Sequence, residues 1–152
     1  MAINTEFTTG AVLTAAQMNN MPFGLSKTVT STSTQTIGGG AAQDITSLTV
    51  SASLVNGRSY LAIVTIACGL PGAGTANLNF RVSFGAGNTE YQSICLPSGN
   101  TGQTNFNGQF YFLATSTAAT TVKAQGYAVS QACALLGTTN LHRLTILDLG
   151  VA

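Results

Sequence analysis

From Lys27 onward, apolar and polar positions alternate with a period of two, and turn residues break the alternation at regular intervals. Thr28 to Thr36 is a Ser/Thr-rich run that suits an exposed edge strand, ended by Gly38-Gly39-Gly40. Between Ile45 and Ser53, Leu48, Val50 and Ala52 alternate with Thr49, Ser51 and Ser53, and Asn56-Gly57 then predicts a hairpin turn. Tyr60 to Cys68 is almost wholly apolar and predicts a central strand covered on both faces. Leu78, Phe80, Val82 and Phe84 mark a further strand, and the turn Gly85 to Asn88 leads into another from Glu90 to Leu96. Phe106, Phe110 and Phe112 share one face of the next strand, opposite Gln109, Tyr111 and Leu113. Strands at Thr121 to Val129 and from about His142 to Leu149 complete the pattern. Residues 130–137 resist a strand assignment and suit a helical turn or a bulged connection. About eight antiparallel strands with Gly-rich turns and no helical period between them predict an all-β sandwich of jelly-roll type.

Residues 1–25 differ in character. Thr14-Ala-Ala-Gln17 has the capping-box form, followed by a helix stop at Asn19-Asn20 and Met21-Pro22. The helix it predicts is barely two turns long and too short to stand alone. Phe7, Val12, Leu13, Met18, Met21 and Phe23 must therefore dock on the chain's own domain, a sister subunit or another protein. Residues 1–25 are thus read as a docking arm and residues 26–152 as the sandwich domain.

Composition narrows the class. Charged residues are 6% of the chain and the net charge is +1, whereas 54 of the 152 residues are Thr, Ser, Asn or Gln. Five scattered cations do not make a phosphate-neutralising patch, which argues against a nucleic-acid partner. An apolar fraction of 45% argues against disorder. No run reaches the ~18 apolar residues of a membrane helix, so membrane insertion is not expected. The first residues lack the basic patch and apolar stretch of a secretory signal. The three cysteines, Cys68, Cys95 and Cys133, read as buried reduced thiols, with a Cys68–Cys95 disulfide left open.

Candidate chemistry is sparse. His142 is a lone histidine, read as solvated or as a subunit contact. Glu6, Asp44, Glu90 and Asp148 share no motif, so no carboxylate pair and no calcium loop is expected. Gly38–Gly40 and the Gly-rich stretch at 69–74 lack the Lys-Ser/Thr and helix of a phosphate loop. No catalytic, cofactor-binding or metal residue is assigned. Asn88, Asn100, Gln103 and Asn105 form the one candidate recognition loop, a weak polar site for a host surface glycan.

The stretch Phe7-Thr-Thr-Gly-Ala-Val-Leu-Thr-Ala-Ala-Gln-Met-Asn19 resembles an opening of many small structural proteins of tailed bacteriophages, F-x-x-G-x-V-L-T-A-A-x-M/V-N. The resemblance implies a non-enzymatic virion protein without cofactor, a minor tail or fibre-like component assembled as a homotrimer. Its arm would meet other virion proteins of the tail or baseplate. The alternative is a capsid decoration protein that cements the major capsid protein of the head shell. A glycan-binding module is the third reading.

Overall fold

The computed structural model describes residues 24–70, 74–96, 102–137 and 141–152. The arm residues Phe7, Val12, Leu13, Met18, Met21 and Phe23, the short helix from Thr14, and Asn100 lie outside the described residues. In chain order the strands are β1 (Gly24–Ser31), β2 (Gln35–Ile37), β3 (Gln43–Leu54), β4 (Arg58–Gly69), β5 (Ala76–Phe84), β6 (Gly87–Asn88), β7 (Gln92–Leu96), β8 (Thr104–Leu113), β9 (Ala118–Val129), β10 (Cys133–Leu135) and β11 (His142–Val151).

Among the described residues, eleven segments occupy eight strand positions. β1 pairs with β11 and β2 with β10, so β1 and β2 lie end to end along one row. β10 and β11 share one edge of β4, opposite the edge that pairs with β8. β6 and β7 share the edge of β5 that faces away from β9. Sheet A therefore runs β1/β2, β10/β11, β4, β8, and sheet B runs β3, β9, β5, β6/β7. Counted by position, these orders are first-eighth-third-sixth and second-seventh-fourth-fifth. This is the jelly-roll order, and the chain is an all-β antiparallel sandwich as its hydrophobic pattern predicts.

The two inner faces meet in one core. Tyr60, Val64 and Ile66 of β4, Phe110 and Phe112 of β8, and Leu144 and Ile146 of β11 point inward from sheet A. Leu48, Leu78, Phe80, Val82 and Val122 meet them from sheet B. Burying each side chain of this size is worth about 1.5–3 kcal/mol, which explains why strict alternation survives along strands with little other constraint. Aromatic rings interlock across the interface, Phe84 on Phe112 at 4.3 Å and Phe80 on Phe106 at 4.5 Å. Gly108 faces inward between the Phe106 and Phe110 rings, where a Cβ would lie 2.6 Å from one and 2.8 Å from the other.

Two glutamine amides seal the open sides of the sandwich. On one side Gln35 of β2 accepts from Thr46 N at 2.7 Å and donates to the Asp44 carbonyl at 3.0 Å, tying the edge of sheet A to β3. On the other side Gln92 of β7 donates to the Gln109 carbonyl and accepts from Gln109 N at 3.1 Å, tying β7 to the edge strand β8. A primary amide offers one donor and one acceptor side by side, as a neighbouring strand would, and blunts an edge in the same way.

Several details differ from the sequence expectation. Asn56-Gly57 does turn the chain, with Gly57 at φ 76°, but β3 and β4 belong to different sheets, so the turn is a corner and not a hairpin. Residues 133–135 form a strand, because Cys133 and Leu135 point into the core and the segment is held between β2 and β4. Three residues are too few for a period to show in sequence. β3 also carries a bulge between Asp44 and Thr49, with Ser47 at φ 67°, that turns both Ile45 and Leu48 inward.

Candidate functional site

One end of the outer face of sheet A is apolar where an ordinary sandwich face is polar, while the other end carries Asn105, Asn107, Thr65 and Arg143. β4 presents Leu61 and Ile63 outward at its centre, flanked by Tyr111 of β8 and Leu147 of β11 in direct register with Leu61. Tyr111 is 65% exposed, Leu113 47% and Val151 53%. Together with Ser59 and Leu149, these side chains line a shallow depression at one end of the sheet. β4 is central between β8 and β10/β11, as its apolar run predicts, but no second layer covers its outer side among the described residues: neighbouring side chains shield Leu61 and Ala67, whereas Ile63 and Thr65 stay half-buried.

Beneath that end lies a buried ion pair. Arg58 opens β4 and Asp148 lies near the end of β11, both on the inner side and both 3% exposed. Arg58 Nε donates to Asp148 Oδ2 at 2.9 Å and Nη2 to Oδ1 at 2.8 Å, a two-point fork that also raises the arginine's pKa. Gly150 N donates to the same Oδ1 at 2.9 Å across the bulge in β11. These two charges, expected as single scattered positions, face each other across 90 residues of sequence.

The outer face of sheet B is polar and cross-linked. Asp44 accepts from Lys123 Nζ at 2.5 Å and from Gln125 Nε2 at 2.7 Å. The Gln125 bond, then Lys123, holds the Asp44 carboxyl below its ordinary range. Gln125 Oε1 accepts from Arg81 Nε at 2.9 Å, and the Arg81 guanidinium lies 5.0 Å from the centre of the Tyr91 ring. Tyr91 meets Tyr127 edge-on at 5.0 Å. Tyr91 sits just before β7, outside any strand.

The sequence candidates disperse. Asn88, exposed at the β5–β6 hairpin, lines a cleft with Leu113 and Ser116 beyond the end of β8. Gln103 and Asn105 bond to each other at 2.7 Å where β8 begins. Nearly the whole strand, some 25 Å at about 3.3 Å per residue, separates them, so these residues do not form one loop site.

His142 is fully buried, not solvated. It stands on the inner side of β11 beside the break between β1 and β2, where its Nδ1 accepts from Ala67 N at 3.3 Å. The proton therefore sits on Nε2, which finds no close hydrogen-bond partner among the described residues. Burial pushes the His142 pKa down, against a smaller opposite pull from the Ser33 backbone. Cys68 and Cys133 are buried free thiols whose pKa values burial pushes up to about 11 and about 12, whereas Cys95 is exposed, which corrects the expectation of three buried thiols. Cys68 lies in the inner core and Cys95 on the outer side of sheet B, so the open Cys68–Cys95 pairing does not form.

Among the described residues no group of three or more His, Cys, Asp or Glu is placed to hold a metal ion, and no helix is long and apolar enough to cross a membrane. The signal missed in sequence was the parity of Leu61, Ile63, Tyr111 and Leu113, apolar residues on positions that the Phe and Val positions had already assigned to the outside.

No protein-family model matches the chain, and a search of curated proteins found no match. Among solved structures, Eiger TNF from S. frugiperda is similar at 11% identity, with 82% of this chain and 93% of that chain covered and a TM-score of 0.46.

Proposed function

We propose that this chain is a non-enzymatic, homo-oligomeric structural protein of a tailed-bacteriophage virion, a minor tail or fibre-like component. The observation that carries the assembly is the apolar end of the outer face of sheet A, with Tyr111 65% exposed beside Leu113, Leu149 and Val151. Isolated apolar side chains on a surface are ordinary, but a contiguous group on one sheet face marks a surface meant to be covered. A second copy is the occupant that suits it, because the central face has no charge and two such faces meet without burying like charges. The remaining outer positions support the same reading, since hydroxyls and amides pack against a partner without stranding charge.

The arm supports the virion part. β1 starts at Gly24, in register with Asp148, at the same end of sheet A that carries Leu149 and Val151. A segment with six large apolar residues, joined to the chain at Gly24, is suited to tie the assembled subunit to the tail or baseplate. Two experiments test the proposal. Labelled antibody against the chain, imaged on intact particles, is expected at the tail; label spread over the head shell would replace the tail reading with the decoration reading. Chain lacking residues 1–23 is expected to assemble with itself yet fail to incorporate, and normal incorporation would remove the arm from the mechanism.

A further inference from the structure

The outer face of sheet B holds a feature that assembly through sheet A leaves unused. Most outward positions there are small and polar: Thr49, Ser51, Ser83, Asn77 and Thr121. Against that background two tyrosines and an arginine occupy neighbouring positions on adjacent rows. Tyr127, Asn79 and Ser93 form one cross-strand row, and Gln125 and Arg81 form the next, with Tyr91 at its rim. We infer that this Tyr91–Arg81–Tyr127 cluster is a binding site for a neutral pyranose saccharide.

The chemistry of the group fits that ligand. A pyranose has a C–H face that packs on an aromatic ring and a rim of hydroxyls that both donate and accept. Tyr91 supplies the ring: Arg81 and Tyr127 hold it at two contacts, each 5.0 Å between centres, and it remains 38% exposed. A ring already held in place loses little freedom on binding, which favours a weak, reversible contact. The rim is matched by amides and hydroxyls: Asn79, whose Oδ1 accepts from Ser93 Oγ, and Gln125, fixed between Arg81 and Asp44. The Lys123–Asp44 pair cancels its own charge, and the Arg81 guanidinium is engaged by Gln125 Oε1 and the Tyr91 ring, so neither group calls for an acidic sugar. A protein partner would ask for a contiguous apolar patch, and that lies on the opposite sheet.

The cluster shares no residue with the sheet A patch, and Tyr91 meets Tyr111 only across a cavity at the β7–β8 side. It is tested on the full chain by saturation-transfer NMR with maltotriose, cellotriose and triacetylchitotriose as probes. Transfer to at least one probe is expected in the wild type, retained in Tyr91→Phe and in Leu113→Ala, and reduced at least tenfold in Tyr91→Ala. Tyr91 is at the rim, so the variant is expected to keep the wild-type melting temperature and particle size. Absence of transfer to all three probes, or equal transfer to Tyr91→Ala, would overturn the inference. Sugar binding by a chain that stays monomeric would instead remove the assembly reading and leave this site standing.

Discussion

His142 shows how a single residue couples the fold to pH. As the pH falls, the unfolded chain takes up the proton near the ordinary histidine value of 6.5, whereas the buried folded group resists it. The unfolded state then binds more protons, so stability rises with pH in this window and is lost as the pH drops below 6.5. Protonation also puts a hydrogen on Nδ1 and takes away the acceptor used by Ala67 N. The loss is expected to reach up to about 1.4 kcal/mol per pH unit until the folded pKa is passed. Thermal unfolding from pH 7.5 to 5 is the measurement: the wild type is expected to lose melting temperature below pH 6.5. His142→Gln, which keeps an acceptor and does not titrate, is expected to melt lower at pH 7.5 but to stay flat. An equal slope in both proteins would assign the acid sensitivity to other groups.

At the scale of elements, the hydrophobic pattern made the long strands legible, because each buried side chain independently rewards its own parity. β4, β5, β8, β9 and β11 fall where alternation or a continuous apolar run predicts them. Sheet membership was not legible. Asn56-Gly57 has the chemistry of a hairpin, yet Leu54 and Tyr60 must enter the core from opposite sheets, and only the whole sandwich decides that. The Arg58–Asp148 fork, the burial of His142 and the placement of β10 depend on partners far away in sequence, which no local pattern carries. The apolar candidate face was hidden for a related reason: Tyr111 and Leu113 read as ordinary outward residues until register set them beside Leu61 and Ser59.

The same long-range logic governs the glutamine seals. Gln92 substitutes for a missing neighbour strand at the open edge of β8, so Gln92→Ala exposes the Gln109 amide and carbonyl to water. The site is solvent-accessible, so the cost is modest, about 1 kcal/mol in urea unfolding. Hydrogen exchange at Gln109 is expected to accelerate at least fivefold while exchange along the β4–β11 ladder stays unchanged. Unchanged exchange at Gln109 would show that the amide clamp does not protect the edge. Because the clamp also blocks edge-to-edge pairing, the variant is further expected to aggregate more readily on heating.

For the whole molecule, the decisive quantity is what covers sheet A. A face with Tyr111, Leu113, Leu149 and Val151 in one patch loses free energy to water in every isolated copy, and association recovers it at roughly 25 cal/mol per Å² before the cost of fixing two molecules together. If copies meet through this face, a charge introduced once appears in every copy and enters the apolar contact from both sides of a two-fold interface. Tyr111→Arg therefore places like charges in a drying interface while leaving the core side of β8, Phe110 and Phe112, untouched. The expected penalty is at least about 2 kcal/mol per interface, some thirtyfold in Kd. Sedimentation equilibrium is expected to show an oligomer for the wild type and dissociation for Tyr111→Arg, with far-UV circular dichroism and melting of the monomer showing a retained fold. Ser51→Arg, exposed on β3 of sheet B, serves as the matched control and is expected to leave the oligomer intact. A wild type that sediments as a monomer at high concentration, or a Tyr111→Arg variant that assembles as tightly as the wild type, would mean that sheet A is covered by something other than a second copy.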